Sequence, residues 1–164
     1  MTPHATLVQR IISGGQTGVD RAALDVAIAL GIPCGGWCPK GRMAEDGVIP
    51  AHYPLRETET ADYAERTVRN VTDSSGTLIL TWAPPSEGTA FTIEAAKSLG
   101  KPHFVVDLRE DNGTDDAAEW LLRNRIRTLN VAGPRASKHP RLYAMAADFL
   151  TRLFEEEPAE TGEL

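Results

Sequence analysis

Apolar positions in this chain fall into short strand-like runs separated by stretches in which they recur at helical spacing. Leu7, Val8, Ile11 and Ile12 make the first run, and Ala23, Val26, Ala27 and Leu30 then recur at i, i+3, i+4 and i+7, a helical stripe. Pro33 to Trp37 predicts a second strand, followed by a charged loop from Cys38 to Gly47 that Pro and Gly punctuate. Pro50 and Pro54 keep the next residues extended, and Thr60 to Val71 reads as a helix with Thr60 as its cap. Gly76 to Trp82 predicts a strand whose centre, Thr77-Leu78-Ile79-Leu80, is apolar without clean alternation, as expected where both faces of a parallel sheet are covered. A helix then runs to Leu99 and is closed by Gly100 and Pro102. His103 to Leu108 predicts another buried strand, Asp115 to Arg127 a helix, and Leu129 to Ala132 a short strand ending at Gly133-Pro134. Leu142, Met145, Ala146, Phe149, Leu150 and Leu153 share one stripe of a closing helix, whose role is core packing.

Strands alternating with helices predict an α/β fold: a doubly wound, mostly parallel sheet with helices on both faces. The length, 164 residues, suits a single domain with its core at about 7–154 and an acidic tail at 155–164. In such sheets ligands bind outside the carboxyl ends of the strands. Three polar, glycine-containing loops fall there, at residues 13–20, 83–89 and 133–138, and the fold class predicts that they converge on one crevice.

The first of these loops, Ser13-Gly14-Gly15-Gln16-Thr17-Gly18-Val19-Asp20, runs from an apolar strand straight into a helix. Glycines there permit positive φ and remove β-carbons, so backbone N–H groups at the helix start can point at an anion. Gln16 and Thr17 add side-chain donors, and Asp20 beside Arg21 can accept from a ligand hydroxyl, hold a cation or favour the helix dipole. The loop lacks the Lys-Ser/Thr ending of a P-loop and the G-x-G-x-x-G spacing of dinucleotide folds. Tight connection alone also accounts for such turns, and the pattern by itself leaves both readings open.

Composition narrows the function classes. Apolar content of 41% and charged content of 24% are those of a water-soluble globular chain, with no run near the roughly 18 apolar residues of a membrane span. A net charge of -6, with Glu155, Glu156, Glu157, Glu160 and Glu163 at the end, argues against a nucleic-acid polymer as partner. Met1 to Thr6 carry no signal-like segment, which predicts a cytoplasmic protein. Cys34 and Cys38 on one strand would stand about 13 Å apart, too far to bridge. They read as packed thiols, with Cys38 at a pocket rim, as a soft metal ligand, the sharper alternative. His4, His52, His103 and His139 have no recognisable acid or nucleophile partner, and no H-E-x-x-H motif occurs, so no catalytic residue is assigned. Glu45-Asp46 is the one acidic pair in a candidate functional loop, either solvated or steering a cation.

A set of segments then points to one family. Gly14-Gly15-Gln16-Thr17-Gly18-Val19-Asp20-Arg21-Ala22-Ala23, Gly36-Trp37-Cys38-Pro39-Lys40-Gly41-Arg42, Ala44-Glu45-Asp46-Gly47, Gly76-Thr77-Leu78-Ile79-Leu80 and Asn130-Val131-Ala132-Gly133-Pro134-Arg135 resemble the molybdenum cofactor carrier proteins over residues 10–150. That family is similar to the wider Rossmann-like SLOG group, which includes lysine-decarboxylase-like phosphoribohydrolases. The resemblance implies a Rossmann-like fold, binding of the pterin-based molybdenum cofactor (molybdopterin), delivery to molybdenum enzymes as recipients, and a homo-oligomer.

The cofactor carries a phosphate, a flat polar pterin and an oxo-metal head, so the resemblance implies a small phosphorylated ligand, or a bare phosphate or molybdate oxyanion. Gly14, Gly15, Gln16, Thr17 and Gly18 would hold the anion, with Gly88 and Thr89 as a second cradle. Asp20, Arg21 and Ser137 complete the candidate set, and Lys40, Arg42 and Arg135 would offset negative charge. The alternative is a nucleotide-processing enzyme such as a nucleoside-monophosphate phosphoribohydrolase. Against it, Pro84-Pro85-Ser86-Glu87 replaces that group's glycines before Gly88-Thr89, and the next acid, Glu94, lies more than a helical turn beyond Thr89.

Overall fold

The computed structural model describes residues 8–110 and 113–155; the acidic tail beyond Glu155, and Leu7 of the first apolar run, lie outside them. Five strands form one parallel sheet: β1 (Arg10–Ile12), β2 (Cys34–Gly35), β7 (Gly76–Thr81), β8 (His103–Asp107) and β9 (Thr128–Ala132), in the order β2-β1-β9-β7-β8. The last strand in sequence thus inserts between β1 and β7. Two small pairs complete the strands: β3 (Trp37–Cys38) with β6 (Arg56–Glu57), parallel, and β4 (Met43–Ala44) with β5 (Gly47–Val48), antiparallel.

Five helices cover both faces, as the alternation of elements predicts. α1 (Val19–Leu30), α4 (Asp115–Arg123) and α5 (Leu142–Glu155) share one core with Ile11, Leu78, Leu80, Leu129 and Val131. Side chains alternate along a strand, so the residues between these face the other layer. There α2 (Tyr63–Asp73) packs on α3 (Glu87–Ser98) through Val71, Ala95 and Ala96. β7 is buried at all six positions, which explains its unbroken apolar centre.

Three local expectations need correction. The strand expected over 33–37 breaks at Gly36, whose φ of 131° is open to glycine and whose added Cβ would lie 2.2 Å from the Ser13 carbonyl oxygen. Cys34–Gly35 therefore stay in the main sheet while Trp37–Cys38 leave it for β6. The second helix begins at Tyr63, because Asp62 accepts from the Ala64 amide at 2.9 Å, whereas Thr60 bonds Glu65. The fourth helix ends at Arg123; Arg125 turns to a left-handed φ of 52° and Ile126 drops into the core.

Candidate functional site

At the carboxyl ends of β1, β9 and β7 the three loops meet around a cavity of about 710 Å³, walled on its far side by α2 and α3. Gly14, Gln16 and Asp20 come from the first loop, Ser86 to Thr89 from the second, and Gly133 to Arg135 with Lys138 from the third. Single-residue contacts set the spacing between loops. Gly18 has φ 83°, and a Cβ there would lie 2.5 Å from the Pro134 carbonyl oxygen and 2.7 Å from the Ala136 nitrogen.

The first loop is largely closed on itself. The Gly15 amide donates to Ser13 Oγ, Gln16 to the Asp20 carboxylate at 3.3 Å, Thr17 to Gln16 Oε1 at 3.0 Å, and Val19 to the Pro134 carbonyl. The amides of Gly18 and Asp20 are left without a partner among the described residues. Gly15, Thr17 and Gly18 do not line the cavity. Gly15 instead faces Leu55 and Ile49, and the Thr17 hydroxyl donates to Glu45 while accepting from the Ala136 amide. The first turn thus makes most of its hydrogen bonds within the protein.

The second loop is open. Ser86 caps α3 by accepting from the Thr89 amide, and the amides of Glu87 and Gly88 have no partner among the described residues. A Cβ on Gly88 would meet nothing within 4 Å. A helix start with unengaged N–H groups carries positive partial charge into the cavity.

The cavity floor holds a cation that the sequence reading missed. Arg66, on α2, donates through Nη1 to the Gly14 carbonyl at 3.0 Å and stands 3.5 Å from Asp20 Oδ2. A Cβ on Gly14 would lie 2.2 Å from that guanidinium nitrogen, so Gly14 is there to admit Arg66. Burial pushes the Asp20 carboxyl up to about 6, outweighing Arg66, the Gln16 amide and Arg21, which all favour its ionised form. The signal lay in α2 itself: Tyr63, Arg66, Thr67 and Asn70, at i, i+3, i+4 and i+7, make a polar inward stripe where a core helix carries leucines. Phe91, Asn130 and Lys138 are further lining residues that were not anticipated.

Of the expected site residues, Gly14, Gln16, Asp20, Gly88, Thr89 and Arg135 line the cavity. Arg21, Lys40, Arg42 and Ser137 do not, and the reasons are specific. Arg21 donates to the Gly15 carbonyl and forks onto Asp46 at 3.0 and 3.2 Å. Arg42 donates to the carbonyls of Ile49, Pro50, Tyr53 and Leu55, fastening the 49–55 segment. Lys40 is exposed beyond β3, and Ser137 donates from its hydroxyl and its amide to Glu45. Glu45 therefore staples the β4–β5 hairpin to the first and third loops, and with Arg135 at 3.4 Å these contacts hold its carboxyl below the usual range. Cys38 is fully buried among Leu24, Ala44, Ile49, Tyr53 and Leu55, away from the cavity, and burial pushes its thiol up. Among the described residues no group of three or more His, Cys, Asp or Glu gathers to hold a metal ion.

Sheet order, helix placement and a cavity at the carboxyl ends of the central strands define a Rossmann-like α/β protein. The chain belongs to the circularly permutated YpsA SLOG family, whose model matches residues 11–154. A solved structure from Syntrophus aciditrophicus SB, described as a "Putative molybdenum carrier protein", is 46% identical, with a TM-score of 0.86, over 90% of this chain and 95% of that one. No curated protein matches the chain.

Proposed function

We propose that this protein binds and carries the molybdenum cofactor, or a related phosphorylated ligand, in the cavity and without chemical turnover. The anionic group is held by Arg66 and the open N-terminus of α3, with Arg135 and Lys138 adding positive charge at the third loop. The observation that carries this reading is that the Arg66 guanidinium, on a side chain 13% exposed, and two unengaged helix amides line one cavity. The kinship with a protein named for molybdenum carriage supports the choice of cargo. Metal would arrive already ligated by its organic part, as no protein cluster of metal-binding side chains is gathered among the described residues. Delivery to molybdenum enzymes, homo-oligomeric assembly and a cytoplasmic setting belong to the same proposal. No helix of the described residues is long and apolar enough to cross a membrane.

The rival reading, a nucleoside-monophosphate phosphoribohydrolase, needs an acid beside the sugar. Glu94 lies outside the cavity, 3.8 Å from Lys97 on the exposed side of α3, whereas Asp20 and Glu87 are the carboxylates that line it. Protein purified from a molybdenum-replete host is expected to carry molybdenum and phosphorus in near-stoichiometric amounts, and Arg66→Gln to carry at least tenfold less. Absence of both elements together with release of adenine from AMP would replace the carrier by the hydrolase.

A further inference from the structure

Trp37 belongs to one of the segments that mark the family, yet it does not line the cavity. It is fixed at three points: its amide donates to Asn70 Oδ1 at 2.8 Å, its carbonyl accepts from Asn70 Nδ2 at 3.0 Å, and Nε1 donates to Asp73 Oδ2 at 2.8 Å. Over the ring lie the guanidiniums of Arg56, its neighbour across the β3–β6 pair, and of Arg69 on α2, 4.5 and 4.4 Å from the ring centre. The acids at hand are turned elsewhere: Asp73 to the indole, Glu57 to the Gly41 amide at 2.7 Å and Glu65 to Thr60. Neither guanidinium has a hydrogen bond or an ion pair among the described residues, although the chain holds 23 acidic residues against 17 lysines and arginines. A guanidinium stacked by its face keeps its in-plane N–H donors, so two forks stand preset on one platform. β6 is also the outer strand of its pair. The Arg56 and Thr58 amides donate to the Gly36 and Cys38 carbonyls, and amides alternate in direction along a strand, so that of Glu57 points outward and has no partner among the described residues.

We infer that this face is a docking surface for an extended acidic segment of a partner protein, its carboxylates held by Arg56 and Arg69 and its backbone accepting from the Glu57 amide. An arginine fork takes a carboxylate through two parallel hydrogen bonds. Both guanidiniums lie within 4.5 Å of one ring centre, which suits them to two carboxylates on alternate residues of one extended chain, about 7 Å apart. Strand addition at the outer edge of β6 supplies main-chain contact. A nucleic acid offers no strand to that edge, and the net charge of -6 repels a long polyanion beyond the two arginines. Asn70, which holds Trp37, also lines the cavity, so a partner docked on the indole sits one side chain away from it. The surface needs no cargo in the cavity, and it stands or falls apart from the carrier reading.

Fluorescence anisotropy of the intact protein with a labelled peptide of alternating glutamate and threonine tests the inference, with the glutamine counterpart of that peptide and a DNA duplex as competitors for the same reading. The glutamate peptide is expected to bind at least tenfold more tightly than the glutamine peptide. Arg56→Gln with Arg69→Gln, its folding checked by thermal melting, should bring the two within twofold. Arg56→Lys with Arg69→Lys keeps the charge but loses the fork, and should fall between the two proteins. Arg123→Gln with Arg152→Gln removes as much charge from the exposed ion pairs of α4 and α5 and should leave the ratio unchanged. Equal binding of the two peptides to the wild type overturns the inference. So does an equal loss in the Arg123 and Arg152 variant, undiminished binding by the lysine variant, or tighter binding of the duplex than of the glutamate peptide.

Discussion

Two turns leave the same edge of the sheet and open helices on its opposite faces, yet they differ in how far their amides are engaged. The turn from β1 into α1 holds Gly14, Gly15 and Gly18, and four of its amides are taken by Ser13, Asp20, Gln16 and Pro134, leaving those of Gly18 and Asp20. The turn from β7 into α3, Ala83-Pro84-Pro85-Ser86, has no glycine before the helix, and it leaves the Glu87 and Gly88 amides open to the cavity. Glycine density here reports how closely the chain approaches itself. Adjacent helix amides that nothing among the described residues has claimed, as at Glu87 and Gly88, are what the second turn directs toward the cavity.

The sharpest break of this contrast is Gly18→Ala. It combines a positive φ with a Cβ inside 3 Å of two backbone atoms, so a loss of about 3 kcal/mol or more is expected in chemical denaturation. A loss below 1 kcal/mol would show that the first and third loops separate easily.

Next in size is the buried acid between the turns. Asp20 holds its proton to about 6 in the folded protein against an ordinary 3.8, so the folded state binds more protons between those values. Stability should therefore be greatest below pH 4 as far as this group is concerned, and fall by up to about 3 kcal/mol as pH rises to 6. The difference in stability between wild type and Asp20→Asn, measured from pH 4 to 7, should follow that curve. A flat difference would mean that Arg66 holds the carboxylate ionised throughout.

Ser86→Ala removes the cap of α3 and should cost about 1 kcal/mol while weakening phosphate binding, read by denaturation and titration together. Smallest is Gly88→Ala, the counterpart of the first substitution: its Cβ meets open space on a helix, and a gain of about 0.5 kcal/mol is expected. If instead the protein loses several kcal/mol, the second turn is as tightly built as the first.

The elements of the fold were readable because each imprints its own period on the chain. The unbroken apolar centre of β7 and the stripe from Leu142 to Leu153 are consequences of backbone geometry and burial, and both elements stand where the pattern puts them. The break at Gly36 was hidden because its cause is the Ser13 carbonyl, which the chain brings near only after a crossover. The site divides in the same way. Its location followed from the fold class, and Gly14, Gln16, Asp20, Gly88, Thr89 and Arg135 all reach the cavity. Arg42 and Arg21 read as site residues, and in the fold they fasten the chain to itself, through acceptors that lie 6 to 25 residues away along it. Arg66 was passed over in the helix read from Thr60 to Val71, and its partners Gly14 and Asp20 are 52 and 46 residues distant.

Sequence alone determined the order and type of the main elements, the parallel α/β class, the family and the sheet edge at which the cavity opens, since all of these depend on local periodicity and on patterns that survive in one dimension. Tertiary structure decided which donors are left unengaged at the cavity. Each polar group binds whichever partner folding brings within about 3 Å, and that competition is settled between residues far apart in the chain.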